Sequence, residues 1–262
     1  MIVCADDFGF GDDIDGAILE LCASGRLSAV SCATPLGRCS PQMLKQLRAC
    51  EGQVDIGMHL CLADETLQLA NSAGRGLELP AYRIFVRRAI LGQVKPRDVA
   101  AKVSAQYVQF VEKCGRRPDF IDGHLHVHQL PGVRAGLIEF VLSLPAEGRP
   151  YIRNTRLRLR KLWKRRLPWL KAASIGVFGA RMLAELRAAG LATNQGFAGV
   201  YNFRNWRRYP EYLPRFVQCL DNPNGILVVH PGNKTEWRRQ ELEALRGFTF
   251  PSGTPTRFRR NI

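Results

Sequence analysis

Residues 2–33 read IVCADDFGFGDDIDGAILELCASGRLSAVSCA. Ile2–Ala5 is a short apolar run that ends at two acids, and run length with flanking signals reads it as a buried strand. From Asp13 to Ser24 the apolar residues Ile14, Ala17, Ile18, Leu21 and Cys22 recur at helical spacing. Gly25 follows as a helix stop, and Ala29–Ala33 is a second apolar strand. A strand, a helix of three turns and a second strand form one crossover unit, whose strands pair in parallel.

The same alternation continues along the chain. Pro41–Cys50 reads as a short helix and Val54–Leu60 as a third strand. Residues 64–92 show no clear period and are expected to form an irregular insertion. Arg97–Cys114 carries Val103, Tyr107, Phe110, Val111 and Cys114 on one stripe, with Gly115 behind it. Pro118–Asp122 reads as the next strand, Gly132–Leu144 as a helix and Tyr151–Arg153 as a short strand. Arg181–Ala189 reads as a helix ending at Gly190, Ile226–Val229 as a late strand and Glu236–Arg246 as the last helix. Repeated strand–helix units predict an α/β fold, a single-domain (β/α) barrel-like sheet of parallel strands with helices outside. No internal repeat or Pro/Gly linker divides the 262 residues, so one domain over 1–262 is expected.

Composition narrows the class further. Apolar residues are 46% and charged residues 23%, which excludes wholesale disorder. No apolar run reaches the roughly 18 residues of a membrane span, and Ile2–Cys4 is too short for a secretory signal. Eight cysteines without a CxxC pair read as reduced thiols, and the expected location is cytoplasmic. The net charge is +15, and eleven of its bases fall in the acid-free stretch 148–184, among them Arg153, Lys164 and Arg166. Leu157, Leu162, Trp163 and Trp169 are interleaved with them. That segment suits an anionic membrane surface, such as the inner face of the membrane, or a solvated face with no partner. No nucleic-acid-binding signature accompanies it.

All five histidines lie in or just after a predicted strand. They are His59 in GMHL (57–60), His124, His126 and His128 in DGHLHVH (122–128), and His230 in VVHPG (228–232). Strand C-terminal ends are where active sites assemble in such sheets. Read as a strand, 124–128 places three imidazoles on one face. They are costly to bury unless a metal, a substrate or hydrogen bonds satisfy them. A mixed imidazole and carboxylate set suits Zn²⁺ or another divalent ion, with an open position for water. Asp6 and Asp7 point different ways along a strand, so one can bind the metal while the other stays free as a base.

These motifs together resemble the YdjC-like carbohydrate deacetylase family, which includes chitooligosaccharide and hopanoid-biosynthesis deacetylases. The resemblance rests on ADDFG (5–9), GMHL (57–60), DGHLHVH (122–128) and HPG (230–232), in that order, and on NQGFAGVY (194–201). It implies a (β/α) barrel and one divalent metal, Mg or Zn, held by Asp7, His59 and His124. It implies Asp6 as general base, His230 as general acid, and removal of acetyl from an N-acetylated amino sugar. His126 and His128 are left as substrate contacts or orienting groups, or His128 joins the metal. Asp122 and Arg153 are placed in the same substrate-contacting or orienting class. Cys4 and Met58 depart from the family pattern. The basic 148–184 stretch departs further, and favours a lipid-linked glycan over a small soluble one. Rival readings are a metal phosphoesterase, which needs two or three metals, and a non-catalytic basic protein binding membrane or nucleic acid. A homodimer is compatible with the sequence.

Overall fold

The computed structural model describes residues 1–34, 40–64, 79–168, 170–251 and 255–259. Seven strands run parallel: β1 (Ile2–Phe8), β2 (Ala29–Cys32), β3 (Asp55–Leu60), β4 (Phe120–Gly123), β5 (Tyr151–Ile152), β6 (Gly196–Ala198) and β7 (Gly225–Val229). Their order across the sheet is β5-β4-β3-β2-β1-β7-β6. Every residue of β1, β3 and β7 is buried, as expected for strands covered on both faces. The sheet curls until its edges meet at one bridge, Ile152 to Thr193. Asn154 and Asn194 tie this seam by donating side-chain amides to each other's main-chain carbonyls, at 2.7 and 3.0 Å. The result is a barrel-like α/β domain with helices outside, as the alternation of elements predicts.

The helices are α1 (Asp12–Ala23), α2 (Pro41–Ala49), α3 (Tyr82–Ile90), α4 (Pro96–Cys114), α5 (Val133–Ser143), α6 (Leu159–Lys164), α7 (Leu170–Ala188), α8 (Tyr209–Val217) and α9 (Glu236–Gly247). Local chemistry sets several ends. Ser40 caps α2 by accepting from Met43 N, with Pro41 in the first turn. Gly115 closes α4 at φ 65°, a left-handed conformation that glycine adopts without a Cβ clash.

Four expectations need correction. The 64–92 insertion is not irregular throughout, because residues 82–90 form α3 with Phe85 and Ala89 turned inward (65–78 lie outside the described residues). The helix expected over 181–189 begins at Leu170 and runs through part of the basic stretch. Gly179 there lets α7 approach the 155–156 backbone, where a Cβ would lie 2.4 Å from a carbonyl carbon. The sequence reading has no counterpart for β6, α6 or α8. In α8, Pro210 and Pro214 disguise the period, yet Tyr212, Leu213 and Phe216 are buried. Finally, 124–128 is not a strand. β4 stops at Gly123, and His124–Gln129 is a distorted 3₁₀ turn with Leu125 and His126 at φ 53° and 57°.

The N-terminal ends of the strands are covered by residues 255–259. Thr256 N donates to Met1 O, Phe258 N donates to Asp55 Oδ2, and Phe258 stacks on Tyr151 at 4.1 Å. The opposite ends of the strands open into a cleft.

Candidate active site

A cleft of about 420 Å³ lies at the C-terminal ends of the strands, and Asp6, Asp7, His59, His124, His126 and His230 all line it. Two adjacent acids reach one cleft because β1 is bulged. Ala5 lies opposite Val30 and Phe8 opposite Cys32, so Asp6 and Asp7 together face Ser31. In a regular strand one of them would point away. The extra residue and the left-handed Asp7 (φ 72°) turn both inward. Against the expectation that these acids point different ways along a strand, both face one pocket, where each has different partners.

Asp7, His59 and His124 form one group. Asp7 Oδ1 lies 3.4 Å from His59 Nε2 and 3.4 Å from His124 Nδ1. One ligand atom from each falls within 4.8 Å of the others. The far side of His59 is fixed: its Nδ1 lies 2.7 Å from Asp122 Oδ1 and 2.8 Å from Ser31 Oγ, and Ser31 donates to the same carboxylate oxygen at 2.5 Å. With Asp122 ionised, Nδ1 carries a proton, and the ring is fixed with Nε2 turned toward Asp7. That Nε2 is buried and makes no hydrogen bond. Burial works against charge on His59, but Asp122, Asp7 and Asp6 outweigh it and hold its imidazole up to about 10. Burial also opposes charge on Asp7, yet Arg238 and the two histidines keep its carboxyl well below the usual range. A carboxylate and two imidazoles in a field that favours a cation fit a divalent ion, which would take the place of the proton on His59 Nε2.

Asp6 sits beside this group with a different partner. Arg153, fully buried, donates from both terminal nitrogens to its two oxygens at 2.8 Å, and Nη2 also pairs with Asp122 Oδ2. Arg153 is therefore not part of the basic surface that the 148–184 stretch suggests. Burial pushes Asp6 up against the pull of Arg153, whereas Arg153 and His59 overcome burial at Asp122 and keep its carboxyl low. Cys4, which departs from the family pattern, places Sγ 3.7 Å from Asp6 Oδ1. Cys4, Asp6 and Asp122 form a second group with metal-ligand spacing. The Arg153 guanidinium already supplies its cation, which leaves no reason for a second metal there.

The other histidines separate. His126 lines the cleft edge-on to Phe197 at 5.5 Å, and burial drives its imidazole well below the usual range. His128 turns back behind β4, where Nε2 lies 2.8 Å from Arg153 O and the ring meets Gly123. It does not line the cleft. His230 stands at the end of β7, edge-on to Phe203 and Trp237 at 5.4 and 6.1 Å. Burial pulls its imidazole down to about 3 despite the opposing pull of Asp7, so it rests neutral.

One helix supplies residues that the sequence did not single out. Arg238 on α9 donates to Asp7 Oδ2 at 2.6 Å. Glu241, one turn on, accepts from His230 N at 2.6 Å and Tyr201 Oη at 2.7 Å. Burial pushes Glu241 up to about 7. Trp237 stacks on Phe203 at 4.1 Å, making an aromatic wall beside His230. The available signal was helical spacing: 237, 238 and 241 share the face that follows HPG back over β7.

A profile of YdjC-like proteins matches residues 1–252. The chain belongs to the YdjC-like family. YdjC-like proteins are carbohydrate-processing proteins. Among solved structures, an Enterococcus faecalis protein provisionally described as cleaving cellobiose phosphate superimposes with a TM-score of 0.61. It shares 18% identity over 93% of this YdjC-like chain and 89% of its own, a likeness of fold.

Proposed function

We propose that this YdjC-like protein is a metal-dependent hydrolase that removes acetyl from an N-acetylated amino sugar. The observation that carries the reading is the trio Asp7, His59 and His124, with a buried Nε2 that makes no hydrogen bond, set beside an acid that Arg153 holds apart from it. Those three residues would hold a divalent ion, which when bound polarises an acetamide carbonyl and acidifies water. Asp6 takes a proton from the attacking water, its raised affinity for protons suiting a base. Arg153 fixes the plane of that carboxylate. His230 hands a proton to the departing amine nitrogen. Because His230 rests neutral, the proton it hands on is the one Asp6 took from the water, which returns Asp6 to a carboxylate as the amine leaves. Asp122 and Ser31 keep His59 in one tautomer, and Trp237 with Phe203 gives a flat apolar wall suited to a sugar ring.

Acetate release tests this across N-acetylated disaccharides, their phosphates, longer glycans and glycolipids, with metal-replete and chelated protein compared. Release that chelation abolishes and one divalent ion restores supports it. Release indifferent to chelation overturns it. A requirement for two ions per chain would favour the phosphoesterase instead.

A further inference from the structure

The basic stretch 148–184 is the sequence's candidate for a lipid surface, but the structure consumes part of it. Arg153 is fully buried against Asp6 and Asp122, and Arg158 and Lys161 both pair with Asp221. A helix that keeps three exposed aliphatic and three exposed basic side chains together is α3. Phe85 and Ala89 face the core, while Ile84, Arg87, Arg88 and Leu91 form the outward stripe at i, i+3, i+4 and i+7. Arg83 and Ile90 flank it. Ile84, Ile90 and Leu91 are 58%, 58% and 59% exposed, three of the seven exposed large apolar residues among those described. Residues 79–97 contain five bases and no acid. Arg83, Arg87 and Arg88 are exposed and make no ion pair with a described residue. α3 also begins at the cleft, whose wall includes Tyr82.

We infer that the outward face of α3 docks on an anionic bilayer and brings the cleft to the membrane surface. No described helix is long and apolar enough to cross a membrane, so the attachment is interfacial. A nucleic acid would satisfy the arginines but leave three aliphatic side chains in water. A second copy packed on this face about a twofold axis would oppose Arg87 and Arg88 to themselves. An anionic bilayer takes both sets, phosphate headgroups for the guanidinium groups and the acyl boundary for the aliphatics. The docking does not depend on which bond the cleft breaks.

The experiment is co-sedimentation of the full chain with phosphatidylcholine vesicles, with and without phosphatidylglycerol, at low and high salt. The wild type should pellet with the anionic vesicles only, and less so at high salt. Arg83→Gln/Arg87→Gln/Arg88→Gln should lower partitioning roughly a hundredfold, at roughly fivefold per cation. Ile84→Ser/Ile90→Ser/Leu91→Ser, which keeps every charge, should also lower it. Lys45→Gln/Arg48→Gln/Lys102→Gln, on α2 and α4, should not. All these side chains are exposed, and circular dichroism checks that each variant is folded. Failure of the wild type to bind anionic vesicles overturns the inference. So does unchanged binding by the serine variant, which would mark simple adsorption to a polyanion, as with RNA. Loss of binding on Trp163→Ala/Lys164→Gln with the α3 variants unaffected also overturns it, moving the surface to α6.

Discussion

Replacing Arg153 by Met tests the electrostatic centre of the site. In the wild type this guanidinium is the shared counter-ion of two buried carboxylates, with two bonds of 2.8 Å to Asp6 and an ion pair to Asp122. Methionine keeps the apolar stem and leaves Asp6 without its cation and Asp122 with His59 alone, at 2% and 0% exposure. Breaking a buried pair in this way costs about 3–5 kcal/mol, against a total stability of about 5–15 kcal/mol. The cost should depend on pH. In the wild type, Asp122 titrates below its unfolded value, so its stabilisation is present above pH ~4 and lost as pH falls further. In the variant Asp6, already raised by burial in the wild type, titrates higher still. The variant therefore regains stability as pH falls and loses it as pH rises through the new folded pKa. Urea unfolding at pH 7 and pH 5 should show a deficit of about 3–5 kcal/mol at pH 7 that narrows at pH 5. A deficit under about 1 kcal/mol at pH 7, or one equal at both pH values, would refute the assignment of Arg153 as shared counter-ion.

Asp6→Asn should lower kcat by about 10²–10⁴-fold while metal content, measured by plasma emission, stays at the wild-type level. Ser31→Ala removes the hydroxyl that bonds Asp122 beside His59, and equilibrium dialysis with Zn²⁺ should show affinity lower by roughly tenfold or more. Glu241, held near 7 by burial, binds its proton more tightly folded than unfolded, so its contribution falls as pH rises from about 4.5 through 7. Between pH 5 and pH 8 the wild type should lose roughly 2–3 kcal/mol relative to Glu241→Gln, read from paired urea titrations; parallel profiles would mean that Glu241 ionises normally.

The parts of this molecule legible in sequence are those set by local pattern. The strand before Asp6-Asp7, the stripe of α4 and the clustering of His59, His124 and His230 at strand ends all follow from period and order along the chain. What escaped depends on pairing between distant residues or on backbone conformation. DGHLHVH alternates like a strand, but left-handed Leu125 and His126 break it. His124 is thereby aimed at Asp7, and His128 at the Arg153 carbonyl. Arg153 looks like one more base in a basic run until the fold sets it against Asp6 and Asp122. Arg238 and Glu241 belong to a polar helix, and only its packing over β7 turns them to the cleft.

The irregularity in β1 has a genetic corollary. Alternation along a strand has a period of two, so deleting one residue between Ala5 and Phe8 restores a regular ladder with β2. The repaired strand would pair better than the natural one, yet it would offer the cleft one carboxylate instead of two. This pocket thus depends on a frame error in its own scaffold. A screen of single-codon deletions should find this position more damaging to activity than to folding.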